Sequence, residues 1–364
     1  MRLEKAISDD INALRGLAAL GVIWAHTMGR VQPPVTVNGA FWVWVFFATS
    51  GYLQGSSFAS GRYSLDRSGA IRFWKNRARR ILPLFWLVLS LALFLRFSLG
   101  GGDISRGAVL RQYVALTTDY DLLGPLWSIA AEIHLYILAP FLCALLAPPK
   151  HRFARYILLG LGLAGLLVAM WLGDSSGEPR SGLGNALIFI TGVMAAYRVK
   201  PYFKLRQRWR GMLFVAVILA AGILEHNFGG FFWTLKAGAM LAVVTAYLVF
   251  DNPPLAEVPR SYALFRSPLI VVGRYCYGVY VYSALIGVVA TQVFHVGYGF
   301  ELLAVELLGI PVAFASFRIF ERHFSVSGLP GMAKDSIQAP VAPPVRCDQN
   351  LMPGDAAAAI ARTS

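Results

Sequence analysis

Long apolar runs alternate with short polar connections along the whole chain. The apolar runs cover about 11–30, 39–59, 80–99, 126–147, 155–173, 183–199, 211–227, 231–250, 268–292 and 300–320. Most approach the roughly 20 residues that a helix needs to cross a bilayer. The pattern predicts an all-α fold, a polytopic membrane helix bundle of about ten transmembrane helices. The polar connections are not alike. Connection 60–79 holds Arg62, Arg67, Arg72, Lys75, Arg77 and Arg79, and connection 200–210 holds Lys200, Lys204, Arg206, Arg208 and Arg210. Lys150 and Arg152 lie in 148–154, and Arg260 and Arg266 in 251–267. The alternate connections are poorer: Arg106 and Arg111 in 100–125, Arg180 in 174–182, and no Lys or Arg in 293–299. Basic loops stay on the cytoplasmic side, so both termini are expected in the cytoplasm.

Composition agrees with that reading. The chain has 364 residues, 57% of them hydrophobic and only 14% charged, with a mean hydropathy of +0.57. The formal net charge of +14 would suit nucleic acid, but its confinement to connections fits membrane orientation instead. The expected location is the inner (plasma) membrane, multi-pass, with the lipid bilayer as partner and no nucleic acid. Cys143 and Cys276 fall in apolar runs and Cys347 near the end, so no disulfide framework and no metal site is implied. The first apolar run carries Arg15 and His26 and lacks a small-residue cleavage site, so it is expected to remain as a helix. Residues 1–325 form the expected membrane-embedded domain. The stretch 326–364, rich in Pro, Ala and Gly, is expected to be a disordered cytoplasmic tail. No internal repeat is visible, which disfavours a transporter built from two related halves. Gly124 and Pro125, after the long outer connection, suggest a broken or re-entrant beginning to the fourth span.

Ionisable residues inside apolar runs are functional candidates, because a bilayer penalises them. Arg15 and His26 stand eleven positions apart. At about 100° per residue they return to within about 20° of one another, so they share a helix face about 16 Å apart along the axis. His26 suits proton abstraction from a hydroxyl; a histidine bonded to a neighbouring helix is the plainer alternative. Arg77 and Arg80 are three apart and neighbours on a helix, with Arg79 between them. Guanidinium groups bind phosphates well, although arginines also serve as cytoplasmic anchors. Ser128, Glu132 and Tyr136 recur every four residues and form a polar stripe behind Trp127. Glu132 can orient a histidine, as carboxylates do in acyl-transfer sites, or pair with an arginine such as Arg80. Walker, GxSxG and HExxH patterns are absent.

In this order the motifs resemble the acyltransferase 3 family of integral membrane proteins. Arg15 and His26 resemble the family's opening helix. Phe46-Phe47-Ala48-Thr49-Ser50-Gly51-Tyr52-Leu53 resembles its "FFxxSGFL", and Arg77, Arg80, Ile81 and Pro83 match "RxxRIxP". Pro125, Leu126, Trp127, Ser128, Glu132 and Tyr136 match "PLWSLxxExxFY". Gly273-Arg274-Tyr275-Cys276-Tyr277-Gly278-Val279-Tyr280 resembles "GrxSYgxYL", and Phe317-Arg318-Ile319-Phe320-Glu321-Arg322 the closing "xxxIEkP". The resemblance covers about residues 10 to 325. The chain departs from the pattern at Ser283, near a position where the family often has His, at His134, and after Glu321, where Arg322 replaces a common Pro.

The resemblance implies transfer of an acyl group, commonly acetyl, from acyl-CoA to a hydroxyl on a carbohydrate. The acceptors it implies are lipopolysaccharide O-antigen, exopolysaccharide and related glycans. Acyl-CoA, commonly acetyl-CoA, is then a cosubstrate, with no permanently bound cofactor. On that reading His26, Glu132 and Arg15 are catalytic, and Arg77, Arg79 and Arg80 hold the CoA phosphates. Trp127, Ser128 and Tyr136 contact substrate. Two other classes use the same charges differently. A transporter or flippase of a glycan or lipid-linked intermediate would need no CoA. A membrane sensor or scaffold would use the polar residues only as interhelical pairs.

Overall fold

The structure is a computed structural model that describes residues 2–28, 39–100, 104–116, 122–147, 182–197, 260–295 and 298–321. The expected spans 155–173, 211–227 and 231–250 and the tail 326–364 lie outside the described residues. Among the described residues the chain is all helical. The order is α1 (Arg2–Met28), α2 (Gly39–Ala59), α3 (Arg67–Ser98), α4 (Arg106–Tyr113), a 3-10 turn (Gly124–Leu126) and α5 (Trp127–Leu146). Then come α6 (Gly182–Ala196), α7 (Arg260–Arg274), α8 (Cys276–Gln292), α9 (Tyr298–Ser316) and a π-helical turn (Phe317–Glu321).

Helix α3 shows how sequence sets these elements. Asp66 caps its start, accepting from the Gly69 N–H at 2.7 Å. Hydroxyls of Ser64 and Ser68 bond the same carboxylate oxygen at 2.7 and 3.0 Å. The Gly69 bond, helped by these hydroxyls, favours the anion and holds the Asp66 carboxyl down at about 2. The helix then runs 32 residues, about 48 Å, against a hydrocarbon core of about 30 Å. The expected span 80–99 is therefore only its apolar part. The basic connection before it is the same helix continued by more than three turns. Only 33% of its most apolar window is buried against protein. Phe94 and Phe97 stay 67% and 64% exposed, as a lipid-facing surface would leave them.

Two described helices are long and apolar enough to cross a membrane, α3 and the segment Gly124–Leu146. The pair α7 and α8 adds a third if it counts as one broken span. Two expectations change here. The 3-10 turn at Gly124–Leu126 leads directly into α5, forming one apolar segment of 23 residues rather than a re-entrant start. Pro125 sits in its first turn, where a missing N–H removes no bond. By contrast, the expected span 268–292 is broken, with a 78° bend between Ser267–Arg274 and Cys276–Gln292. Tyr275 makes the corner, its ring edge-on to Phe314 and Phe317 at 5.2 and 5.0 Å.

Small residues let the helices close. A Cβ on Gly273 would lie 1.7 Å from the Asn12 carbonyl oxygen, and one on Gly16 2.0 Å from that of Leu269. Helices α1 and α7 thus cross backbone against backbone. Gly51 and Gly192 do the same for α2 and α6, each within 2.1 Å of a facing carbonyl. On helix α5, Ala130, Ala139 and Cys143 are fully buried. The described part of connection 100–125 packs back against α3. Trp86 Nε1 donates to the Tyr113 carbonyl at 2.9 Å. His134 Nε2 donates to the Ala115 carbonyl at 2.7 Å, which employs His134 structurally.

Candidate active site

Five helices converge on one cleft. The four-residue repeat on α5 turns Ser128, Glu132 and Tyr136 into it. Helix α1 contributes Arg15, α3 contributes Arg77 and Arg80, and α8 contributes Cys276, Tyr277 and Tyr280. Val43, Phe46 and Phe47 of α2 form much of the apolar wall.

Among the described residues, Glu132 is the one carboxylate lining the cleft. Ser50 donates its hydroxyl to Oε1 at 2.8 Å, and Tyr136 donates to the same oxygen. The expectation that Glu132 pairs with Arg80 or orients a histidine is not what the geometry shows; among the described residues hydroxyls hold it. Among the described residues, three guanidinium groups line the cleft with one carboxylate. Arg77 lies between aromatic rings, 5.5 Å from the Phe73 centroid and 5.4 Å from that of Tyr136. Arg15 sits 5.9 Å from the Phe46 ring. These stacks fix the guanidinium planes by cation–π attraction. The Nε atoms of Arg15 and Arg77 are buried and have no hydrogen-bond partner among the described residues. Buried donors normally have partners, and two guanidinium Nε donors side by side suit an anion.

A second network closes the wall opposite. Tyr280 donates to the Pro125 carbonyl at 2.6 Å and accepts from Ser128 at 2.9 Å. Tyr277 donates to the Ile81 carbonyl at 2.8 Å. The bend at Tyr275 places both tyrosines there, tying α8 to the beginning of α5 and to α3.

The sequence candidates thus divide. Arg15, Arg77, Arg80, Ser128, Glu132 and Tyr136 come together. Arg79, Trp127 and His26 do not line the cleft. Arg79 is two positions from Arg77, about 200° round the helix, and is exposed on the other side. Trp127 precedes the stripe by about 100° and is buried in the core at 8% exposure. His26 is exposed at the far end of α1, beside the start of α2; a Cβ on Gly39 would lie 3.2 Å from its ring. Ser50, Cys276, Tyr277 and Tyr280 are site residues without an assigned role from sequence. The spacing of Cys276 and Tyr280, four apart in an apolar run, is the signal that would have found two of them. Among the described residues no cluster of His, Cys, Asp and Glu could hold a metal ion.

The chain is similar to proteins named O-acetyltransferase OatA from Staphylococcus aureus strains NCTC 8325, COL and MW2, each 24% identical over 91% of the chain. It spans 60% of the length of these relatives. No solved structure matches it. Residues 8–318 match the acyltransferase domain family known as acyltransferase 3, and the chain belongs to that family.

Proposed function

We propose that the protein is a membrane-bound O-acyltransferase. It moves an acyl group, acetyl, from acyl-CoA to a hydroxyl of a cell-surface or exported carbohydrate. The observation that carries this reading is the cleft, where Arg15, Arg77 and Arg80 face one ligand space and two Nε donors lack partners among the described residues. Guanidinium forks suit the phosphates of CoA. The name of the similar proteins, O-acetyltransferase, supports the acyl group and the oxygen acceptor. Family membership supports the membrane setting, and the basic connections support a multi-pass protein of the inner membrane. Glu132, held by two hydroxyls, supplies negative charge beside the guanidinium groups. His26 serves the acceptor hydroxyl from the outer end of α1, about 16 Å along the axis from Arg15.

The test has two arms. Purified protein is titrated with acetyl-CoA, and surface glycans are analysed by mass with and without the gene. Acetyl-CoA binding and an acetyl mass lost with the gene are expected. His26→Ala should abolish glycan acetylation while leaving acetyl-CoA binding within about twofold, because His26 lies outside the cleft. Absence of binding together with unchanged glycans would overturn the proposal and favour a glycan transporter.

A further inference from the structure

We infer that Phe73 is a positioning residue for the donor, acting through Arg77, and that the ring of Tyr136 is its counterpart on α5. The inference rests on the O-acyltransferase reading and concerns how the donor phosphates meet a guanidinium group already in place.

The surroundings of Arg77 are aromatic. Its Nε has no hydrogen-bond partner among the described residues. Glu132, the carboxylate of the cleft, accepts from Ser50 and Tyr136. Phe73, one helical turn before Arg77 on α3, has its ring centroid 5.5 Å from the guanidinium carbon. The Tyr136 centroid lies at 5.4 Å. The two rings are 6.3 Å apart with an interplanar angle of 84°. Arg77 thus packs in a corner formed by two nearly perpendicular rings.

Such a corner does what a carboxylate partner would not. A ring attracts a cation through its quadrupole and uses no N–H group. Arg77 is therefore held while its charge stays uncancelled and its donors stay available to an anion. A loose arginine gives up rotamer freedom when it binds a ligand. One packed in the folded protein has given it up beforehand, and affinity gains from that preorganisation.

The corner is braced from behind. Phe73 is fully buried and does not line the cleft. It packs against Phe58 at 5.3 Å and edge-on to Tyr63 at 5.4 Å. Asn76 Nδ2 donates to the Tyr63 hydroxyl at 3.0 Å. Tyr136 stands edge-on to Phe189 at 6.4 Å, while its hydroxyl bonds Glu132. The two parts of Tyr136 thus have separate tasks: the ring positions Arg77 and the hydroxyl positions Glu132.

The test uses the full chain in lipid nanodiscs, with acetyl-CoA affinity measured by titration calorimetry and melting followed for every variant. Phe73→Leu keeps a buried apolar side chain and removes the ring; it should weaken binding roughly 3- to 10-fold. Phe73→Met, whose flexible chain fills irregular space, should do the same and serves if the Leu variant does not fold. Phe58→Leu disturbs the same aromatic cluster one ring further from Arg77. It should lower the melting temperature and leave affinity within about twofold. Tyr136→Phe keeps the ring, so affinity should hold within about twofold while acetyl-CoA turnover slows. Tyr136→Leu should weaken binding as Phe73→Leu does. In an Arg77→Ala background Phe73→Leu should weaken binding no further, because nothing is left to position. Unchanged affinity in Phe73→Leu, equal weakening by Phe58→Leu, or an undiminished effect in the Arg77→Ala background overturns this inference alone. Failure of the wild-type protein to bind acetyl-CoA overturns the O-acyltransferase reading beneath it.

Discussion

Sequence places Arg77, Arg79 and Arg80 on an equal footing as phosphate ligands, whereas the fold separates them, and that separation can be measured. Arg77 and Arg80 line the cleft and Arg79 does not. Each is replaced by Ala in turn, and acetyl-CoA affinity is measured by titration calorimetry. A hydrogen bond to a charged group contributes about 1.5–3 kcal/mol, and about 1.4 kcal/mol is tenfold in affinity. Arg77→Ala and Arg80→Ala should each weaken binding roughly 10- to 100-fold. Arg79→Ala removes a solvated charge beyond direct contact, screened at physiological salt over about 8 Å. It should change affinity by less than about twofold. Arg77 also stacks between two rings at 5.5 and 5.4 Å, worth about 0.5–2 kcal/mol of folding stability, so melting must be followed alongside. Arg77→Lys keeps the charge, loses the planar fork and should fall between the two. Equal weakening by Arg79→Ala and Arg77→Ala would show that binding follows net charge, and would refute the cleft as the donor site.

Three further outcomes follow from other parts of the structure. Ser50→Ala removes one of two hydroxyls bonding Glu132; kcat should drop roughly tenfold, from about 1.5 kcal/mol for a bond to a charged group. Donor affinity should stay within about twofold, and an unchanged kcat would remove Glu132 orientation from the mechanism. Gly273→Ala places a Cβ 1.7 Å from the Asn12 oxygen, so α1 and α7 must part; a loss of about 1–3 kcal/mol should appear as a lower melting temperature, and an unaltered melting curve would refute the close crossing. Asp66 titrates near 2 when folded, against an ordinary 3.8, so its cap strengthens α3 above about pH 4 and is lost as pH falls through 2. The protection factor of the Gly69 amide, its exchange relative to an unstructured chain at the same pH, should fall over that interval in the wild type and stay flat in Asp66→Ala; constant protection in the wild type would contradict the cap.

The limits of the second helix, expected at 39–59 and observed at Gly39–Ala59, show what the sequence by itself determined. An uninterrupted apolar run in a bilayer has one low-energy conformation, a helix, because every backbone polar group must be bonded internally. Hydropathy therefore determined helical class and the positions of several elements. Helical periodicity also determined that Ser128, Glu132 and Tyr136 share a face and that Arg77 and Arg80 are neighbours. Tertiary structure decided what periodicity cannot express. The break at Tyr275 lies inside an apolar run with no proline at the corner; packing against Phe314 and Phe317 and the Gly273 crossing hold it, and all three are long-range contacts. Only that bend brings Cys276, Tyr277 and Tyr280 to the arginines of α1 and α3. Likewise Ser50 reaches Glu132 across 82 positions of sequence. Arg15 and His26 show the division most plainly. Their common face followed from spacing, but the interhelical packing encloses the Arg15 end in a cleft and leaves the His26 end outside it.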